Sequence, residues 1–192
     1  MKKIIYFSIF LTSLFSCTSN ESISASISQN DLLGSWNISE FYTNNGNASV
    51  YFNGQNLQGT FDAFGSDFNM TALFEETPNN FSTSGGFTLN STISFLSQQF
   101  SNQEIIDFIP QYLSPASWLL QDNSISFSSQ NETIMADIIY FNNDTLRLKT
   151  IVDQSMLQHL DSLYIQQIDS STVFQNIDSL KISAEFFLTF TK

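Results

Sequence analysis

Four groups in this chain are of a type that can do chemistry, and the sequence around three of them gives that chemistry no support. His159 is the only histidine. A metal centre asks for further His or Cys ligands at regular spacing, and none accompanies it. Within the apolar pattern of residues 154–167 it falls on the polar side, where an exposed imidazole is expected. No Gly-x-Ser-x-Gly elbow exists to present a serine to it as a nucleophile. Glu75 and Glu76 are adjacent, and adjacent side chains of an extended chain point to opposite faces, so they do not form a working carboxylate pair. Neither an Asp-x-Asp-x-Asp-Gly calcium loop nor a glycine-rich phosphate loop occurs. The expectation is a non-catalytic protein without metal or cofactor. The fourth group is the thiol of Cys17, the only cysteine, at Leu14-Phe15-Ser16-Cys17.

The residues before Cys17 explain its position. Met1-Lys2-Lys3 is a short basic start, and Ile4 to Phe15 is a run poor in polar groups. Together with the small residue Ser16 they have the form of a secretory signal peptide. A membrane-spanning helix needs roughly 18 or more apolar residues; this run is shorter, and Thr18-Ser19-Asn20-Glu21-Ser22 follows at once. A cysteine directly after the small residue resembles the lipobox of bacterial lipoproteins. That resemblance implies cleavage after residue 16, a diacylglycerol on the Cys17 thiol and acylation of the new amine. Two or three acyl chains make a stable anchor where one is marginal, so the expected partner is a membrane, held through lipid on Cys17. Thr18 stands where the inner-membrane retention signal of enteric lipoproteins has Asp. Only Glu21 supplies an acid soon after the cysteine. The expected location is therefore the outer membrane, with the periplasmic face preferred over the cell surface.

Composition narrows the remaining partners. Without Lys2 and Lys3, the mature chain has 4 basic residues (Arg147, Lys149, Lys181 and Lys192) against 18 acidic ones, a net charge of −14. Nothing in it can neutralise phosphates, which excludes nucleic acid and disfavours docking on anionic headgroups. With Cys17 given to lipid, no thiol is left for a disulfide, and the fold must rest on its core. Of 20 phenylalanines, Phe7, Phe10 and Phe15 fall in the leader, leaving 17 in one domain of ordinary size. So many large aromatic side chains, with few Gly, Pro and charged residues, describe a β-rich globular composition.

The elements follow from periodicity. Residues 17–30 are Ser-rich and lack aromatics, and read as a flexible tether; the domain is expected over 31–192. Trp36 and Ile38 share one face of a first strand. Residues 43–60, rich in Asn and Gly, read as turns around a brief strand at Val50-Tyr51-Phe52. Phe68, Met70, Ala72 and Phe74 alternate, as do Phe87, Leu89, Ile93 and Phe95, then Ile125 and Phe127, then Ile134, Ala136, Ile138 and Tyr140. Leu146 and Leu148 alternate with Arg147 and Lys149, and Ala184, Phe186, Leu188 and Phe190 supply a last strand. Asp122-Asn123 and Asn142-Asn143-Asp144 are turn signals. Period-two patterning with short turns predicts an antiparallel up-and-down barrel. Two stretches depart from it. Ile105, Ile106, Phe108 and Ile109 predict a short helix within 102–113, and Met156, Leu157, Leu160, Leu163 and Tyr164, then Val173, Phe174, Ile177 and Leu180, predict helices within 154–180.

Leu33-Gly34-Ser35-Trp36 at the head of the first strand, followed by the Trp118 strand turning at Asp122-Asn123 and by Asp144-Thr145-Leu146-Arg147-Leu148, resembles the lipocalin-like domains carried by lipoproteins of the Bacteroidetes group. The resemblance implies a mainly β, lipocalin-like barrel, with Gly34, Trp36 and Trp118 as its barrel-closing signature. It departs from the family in two respects: lipocalins carry an Arg near the last strand that covers the Trp, and residues 183–192 hold none; and the segment 154–180 is longer and more helical than the family's pattern. Phe74, Phe87, Phe95, Tyr140, Phe186 and Phe190 are the candidate ligand-facing residues, since small barrels commonly enclose one ligand. Asp161-Ser162-Leu163 and Asp178-Ser179-Leu180 resemble the O-glycosylation motif of envelope proteins of that group, making Ser162 and Ser179 candidate acceptors. Two functions remain open. One is binding of a small apolar ligand or a partner segment. The other is a structural or accessory role in an outer-membrane complex, with a filled barrel and no ligand.

Overall fold

The computed structural model describes residues 27–106, 116–129, 132–152, 164–165, 168 and 177–192. Over these the chain is mainly β, with every strand paired antiparallel. A single-turn helix, α1 (Gln29–Leu32), leads into β1 (Gly34–Phe52), β2 (Gln55–Phe74), β3 (Asn80–Phe95) and β4 (Gln98–Ile106). The second half comprises β5 (Ala116–Gln121), β6 (Ser124–Ser129), β7 (Glu132–Phe141), β8 (Thr145–Val152) and β9 (Ile177–Thr191). Sequential neighbours pair except β4 and β5, β9 returns to β1, and β3 pairs both β2 and β5, so the sheet closes on itself in a barrel-like ring with β4 on the edge of β3. β3 shares its second edge, pairing with β4 along Phe87–Phe95 and with the start of β5 at Asn80 and Phe81.

The alternation seen in the sequence is the inward–outward alternation of this ring. The inner faces of β3, β6, β8 and β9 are those expected, with Phe87, Leu89, Ile93 and Phe95, Ile125 and Phe127, Leu146 and Leu148, and Ala184, Phe186, Leu188 and Phe190 all buried. The turns at Asp122-Asn123 and Asn142–Asp144 are also in place. Asn142 Oδ1 accepts from the amides of Asp144 and Thr145 at 2.9 and 2.7 Å, the Asx geometry that makes Asn a turn former.

Three expectations are corrected. Residues 43–60 are not turns around a brief strand. They are the middle of a long hairpin whose only turn is Asn53-Gly54, with φ of 48° and 74° as a type I′ turn requires. The Asn- and Gly-rich composition serves a bulge instead, with a register shift between Asn44 and Asn47. A Cβ on Gly46 would lie 1.8 Å from the carbonyl oxygen of Phe61, so only glycine fits there. The predicted helix near 102–113 is strand over its described part, because residues 98–106 form β4 against β3; residues 107–113 lie outside the described residues. Ile177 and Leu180, assigned to a second helix within 154–180, open β9 opposite Phe52 and Val50. Tyr164, Ile165 and Ile168 do have helical backbone, as expected of that stretch.

Candidate functional site: the barrel interior and its α1 end

The α1 end is built around Trp36, which is fully buried and donates its indole N–H to the carbonyl of Leu32 at 2.8 Å. α1 is held in place for this by a capping box: Asp31 accepts from the Ser28 amide at 2.9 Å and from its hydroxyl at 2.7 Å. The Ser28 side chain, and then its backbone, hold the Asp31 carboxyl below the usual range. Gly34 turns the chain from α1 into β1 with φ of 107°, a conformation a side chain would resist. Trp118, 2 % exposed, donates to the carbonyl of Glu75 at 3.0 Å and meets Phe74 edge-on at 5.2 Å. Gly34, Trp36 and Trp118 thus belong to one end of one core.

Residues 183–192 hold no Arg, as the sequence shows, but the last of them covers Trp36. Lys192 Nζ sits 4.4 Å from the centroid of the Trp36 ring and reaches the carbonyl of Asp31 at 3.4 Å, while its amide donates to the Asp144 carbonyl at 3.1 Å. A search for Arg alone misses it, although a Lys ammonium supplies the same attraction to an indole face. Lys192→Ala should lower unfolding free energy by about 0.5–1 kcal/mol, the range for a cation–π contact at an exposed site. Urea denaturation of the two proteins checks this.

The candidate ligand-facing residues are placed as follows. Phe74, Phe87, Phe95, Phe186 and Phe190 all point inward and are at most 6 % exposed. Phe74 packs on Phe81, Trp118, Phe127 and Phe190 at centroid distances of 4.9–6.5 Å. Phe41, not anticipated as a site residue, packs against Phe87 at 5.4 Å and Phe186 at 5.2 Å. The ring of Phe95 lies over Gly59, where a Cβ would come within 2.5 Å of it. Tyr140 is not on the inner face. β7 carries a bulge between Ile138 and Tyr140, which reverses the alternation. Phe141 packs against the core in its place, and the Tyr140 hydroxyl accepts from Asn142 on the surface at 2.9 Å.

Among Phe81, Phe127, Ile134, Ala136, Leu148, Thr150, Leu188 and Phe190 there is a void of about 20 Å³. One water would fit by size, but the lining is apolar except for Thr150, whose hydroxyl already donates to the Met135 carbonyl at 2.8 Å. A void of this kind stays dry.

Farther along the barrel, β9 pairs with β8 only from Ala184 onward, so residues 177–183 have a ladder partner on the β1 side alone among the described strands. Tyr164 and Ile168, between β8 and β9 in sequence, are fully buried members of the same core. The Tyr164 hydroxyl bonds Ser91 Oγ at 2.7 Å, and Ser91, 3 % exposed, is a polar residue on the inner face of β3. Burial pushes the Tyr164 phenol above its ordinary value, opposed by the Ser91 bond. The folded protein therefore holds that proton more tightly than the unfolded chain. The associated stability is complete below about pH 10 and is lost as pH rises through the folded-state value. Tyr164→Phe should cost about 1–3 kcal/mol near neutral pH, because it leaves the Ser91 hydroxyl buried without this partner, and should flatten the alkaline fall. Denaturation from pH 7 to 11 measures both.

Ser179 lies within β9 opposite Tyr51 and is half-buried. Cys17, Ser162 and His159 lie outside the described residues. Among the described residues no three His, Cys, Asp or Glu side chains gather as metal ligands would, and no helix is long and apolar enough to cross a membrane. Comparison with protein-family models and with curated proteins returns no match.

Proposed function

We propose that this is a lipid-anchored, non-catalytic protein of the bacterial outer membrane. In this reading its lipocalin-like barrel is filled by its own side chains and acts through its outer surface, as an accessory subunit of an envelope complex. One observation carries the proposal: the five inward phenylalanines pack on aromatic rings or backbone of the same chain, and the void beside Phe190 measures about 20 Å³. Carriage of a small apolar ligand, the other function expected from the sequence, would require room among Phe74, Phe81, Phe127 and Phe190, whose rings already pack on one another. The anchor rests on the signal sequence and Cys17, and the outer-membrane placement on Thr18.

Native mass spectrometry of the protein purified from its own membrane tests the functional reading. The expected mass is the acylated chain, alone or with a protein partner. A stoichiometric apolar small molecule on the acylated chain would overturn it in favour of carriage.

A further inference from the structure

A row of side chains crosses the outer face of six strands at one level. Its register runs Gln103 (β4), Asn90 (β3), Phe64 (β2), Tyr42 (β1), Phe187 (β9) and Lys149 (β8), each directly opposite the next. Phe64, at its middle, is 57 % exposed. Tyr42 and Phe187 stack at 4.8 Å with planes 3° apart. Both ends are polar and already oriented. Gln103 Nε2 donates to Asn90 Oδ1 at 3.0 Å, and Asn90 Nδ2 donates to Ser66 Oγ at 3.1 Å. At the other end Lys149 lies 5.9 Å from the Phe187 centroid and is paired with Glu185, whose carboxylate also accepts from Asn45 at 2.8 Å. Lys149 and Asn45 together hold that carboxyl below its ordinary range.

We propose that this row binds an uncharged glycan chain. The proposal deepens, and rests on, the reading that the barrel works through its outer surface. The exposed ring of Phe64 is electron-rich and attracts the polarised C–H face of a pyranose; Tyr42 and Phe187, stacked on each other, stand beside it as a rigid wall, while amide and hydroxyl side chains in fixed orientations match the sugar hydroxyls. Strands lie about 4.8 Å apart, so five intervals span roughly 24 Å, a strand spacing comparable to the advance per sugar in an extended hexose chain. An apolar protein surface laid here would desolvate the Asn90 and Gln103 amides without replacing their water contacts. Anionic glycans are excluded by the net charge of −14 and by the pairing of Lys149 with Glu185.

The test is native affinity electrophoresis of the full protein, extracted in a detergent without a sugar headgroup. Gels are cast with hydroxyethylcellulose, galactomannan or arabinoxylan, and with polygalacturonate as an anionic control. Retardation is expected in at least one neutral gel and not in the anionic one. Phe64→Ala should weaken it about tenfold or more and Asn90→Ala several-fold, while Met135→Ala, on the outer face of β7, should leave it unchanged. Phe64 is exposed, so its loss leaves the fold intact, which circular dichroism checks. Absence of retardation in every neutral gel overturns the proposal, as does retardation indifferent to Phe64→Ala. So does a co-purifying protein lost in Phe64→Ala without glycan binding, which would make the row a protein interface. The readout does not depend on what fills the interior, so its failure is separable from a ligand found by native mass spectrometry.

Discussion

Phe74→Ala is expected to lower the unfolding free energy by about 3–5 kcal/mol, the range for removing a fully packed aromatic side chain. Phe74 is 1 % exposed and touches Phe81, Trp118, Phe127 and Phe190. Its loss removes the transfer energy of the ring and also leaves a cavity that four rigid rings cannot collapse into. Against a total stability of about 5–15 kcal/mol for a domain, that is a large fraction, and the urea midpoint should fall accordingly. Phe64→Ala is the internal reference, because an exposed ring should change stability by less than about 0.5 kcal/mol. If Phe74 instead lined an open ligand cavity, its removal would leave packing largely intact, and the two substitutions would differ little.

The second large effect concerns attachment. Cys17→Ala should release the protein from membranes altogether, since acyl chains on that residue are the whole of the proposed anchor. With 6 basic against 18 acidic residues in the chain, no electrostatic contact with anionic lipid can substitute for them. Fractionation after a high-salt wash gives the answer. Cys17→Ala protein that still sediments with outer membranes would contradict the lipoprotein reading.

The strands that sequence reads well are those whose inner and outer residues differ cleanly in polarity. On β8, Leu146 and Leu148 are buried, and Arg147 and Lys149 extend outward to Glu40 and Glu185. On β6, Ile125 and Phe127 are buried between serines. β4 is misread because its outer face ends in an apolar residue. Ile105 is 72 % exposed, and next to the inward Ile106 it completes a pattern that also fits a helix. The β1–β2 hairpin is misread for the opposite reason. Glycines usually mark turns, but Gly46 and Gly59 are there because backbone or a ring approaches too closely for a Cβ. Tyr140 is lost to a single-residue bulge, which shifts every later side chain to the other face and leaves no trace in composition.

For the candidate site, the inward phenylalanines were legible, whereas what they face was not. Periodicity assigns a side chain to a face of the sheet, but whether a barrel is hollow depends on volumes summed across strands far apart in sequence. The contact of Lys192 with Trp36 joins the two ends of the domain, and Tyr164 reaches Ser91 from 73 residues away. The outer row of Phe64, Tyr42 and Phe187 was hidden likewise, since its members come from three strands and meet only through register.

Whether the interior is closed to apolar molecules can be measured directly by titrating the purified protein with N-phenyl-1-naphthylamine, which fluoresces on entering an apolar cavity. A barrel filled by Phe74, Phe87, Phe95, Phe186, Phe190, Tyr164 and Ile168 predicts no saturable rise in fluorescence. A one-to-one saturable rise, reversed by a competing fatty acid, would contradict the account.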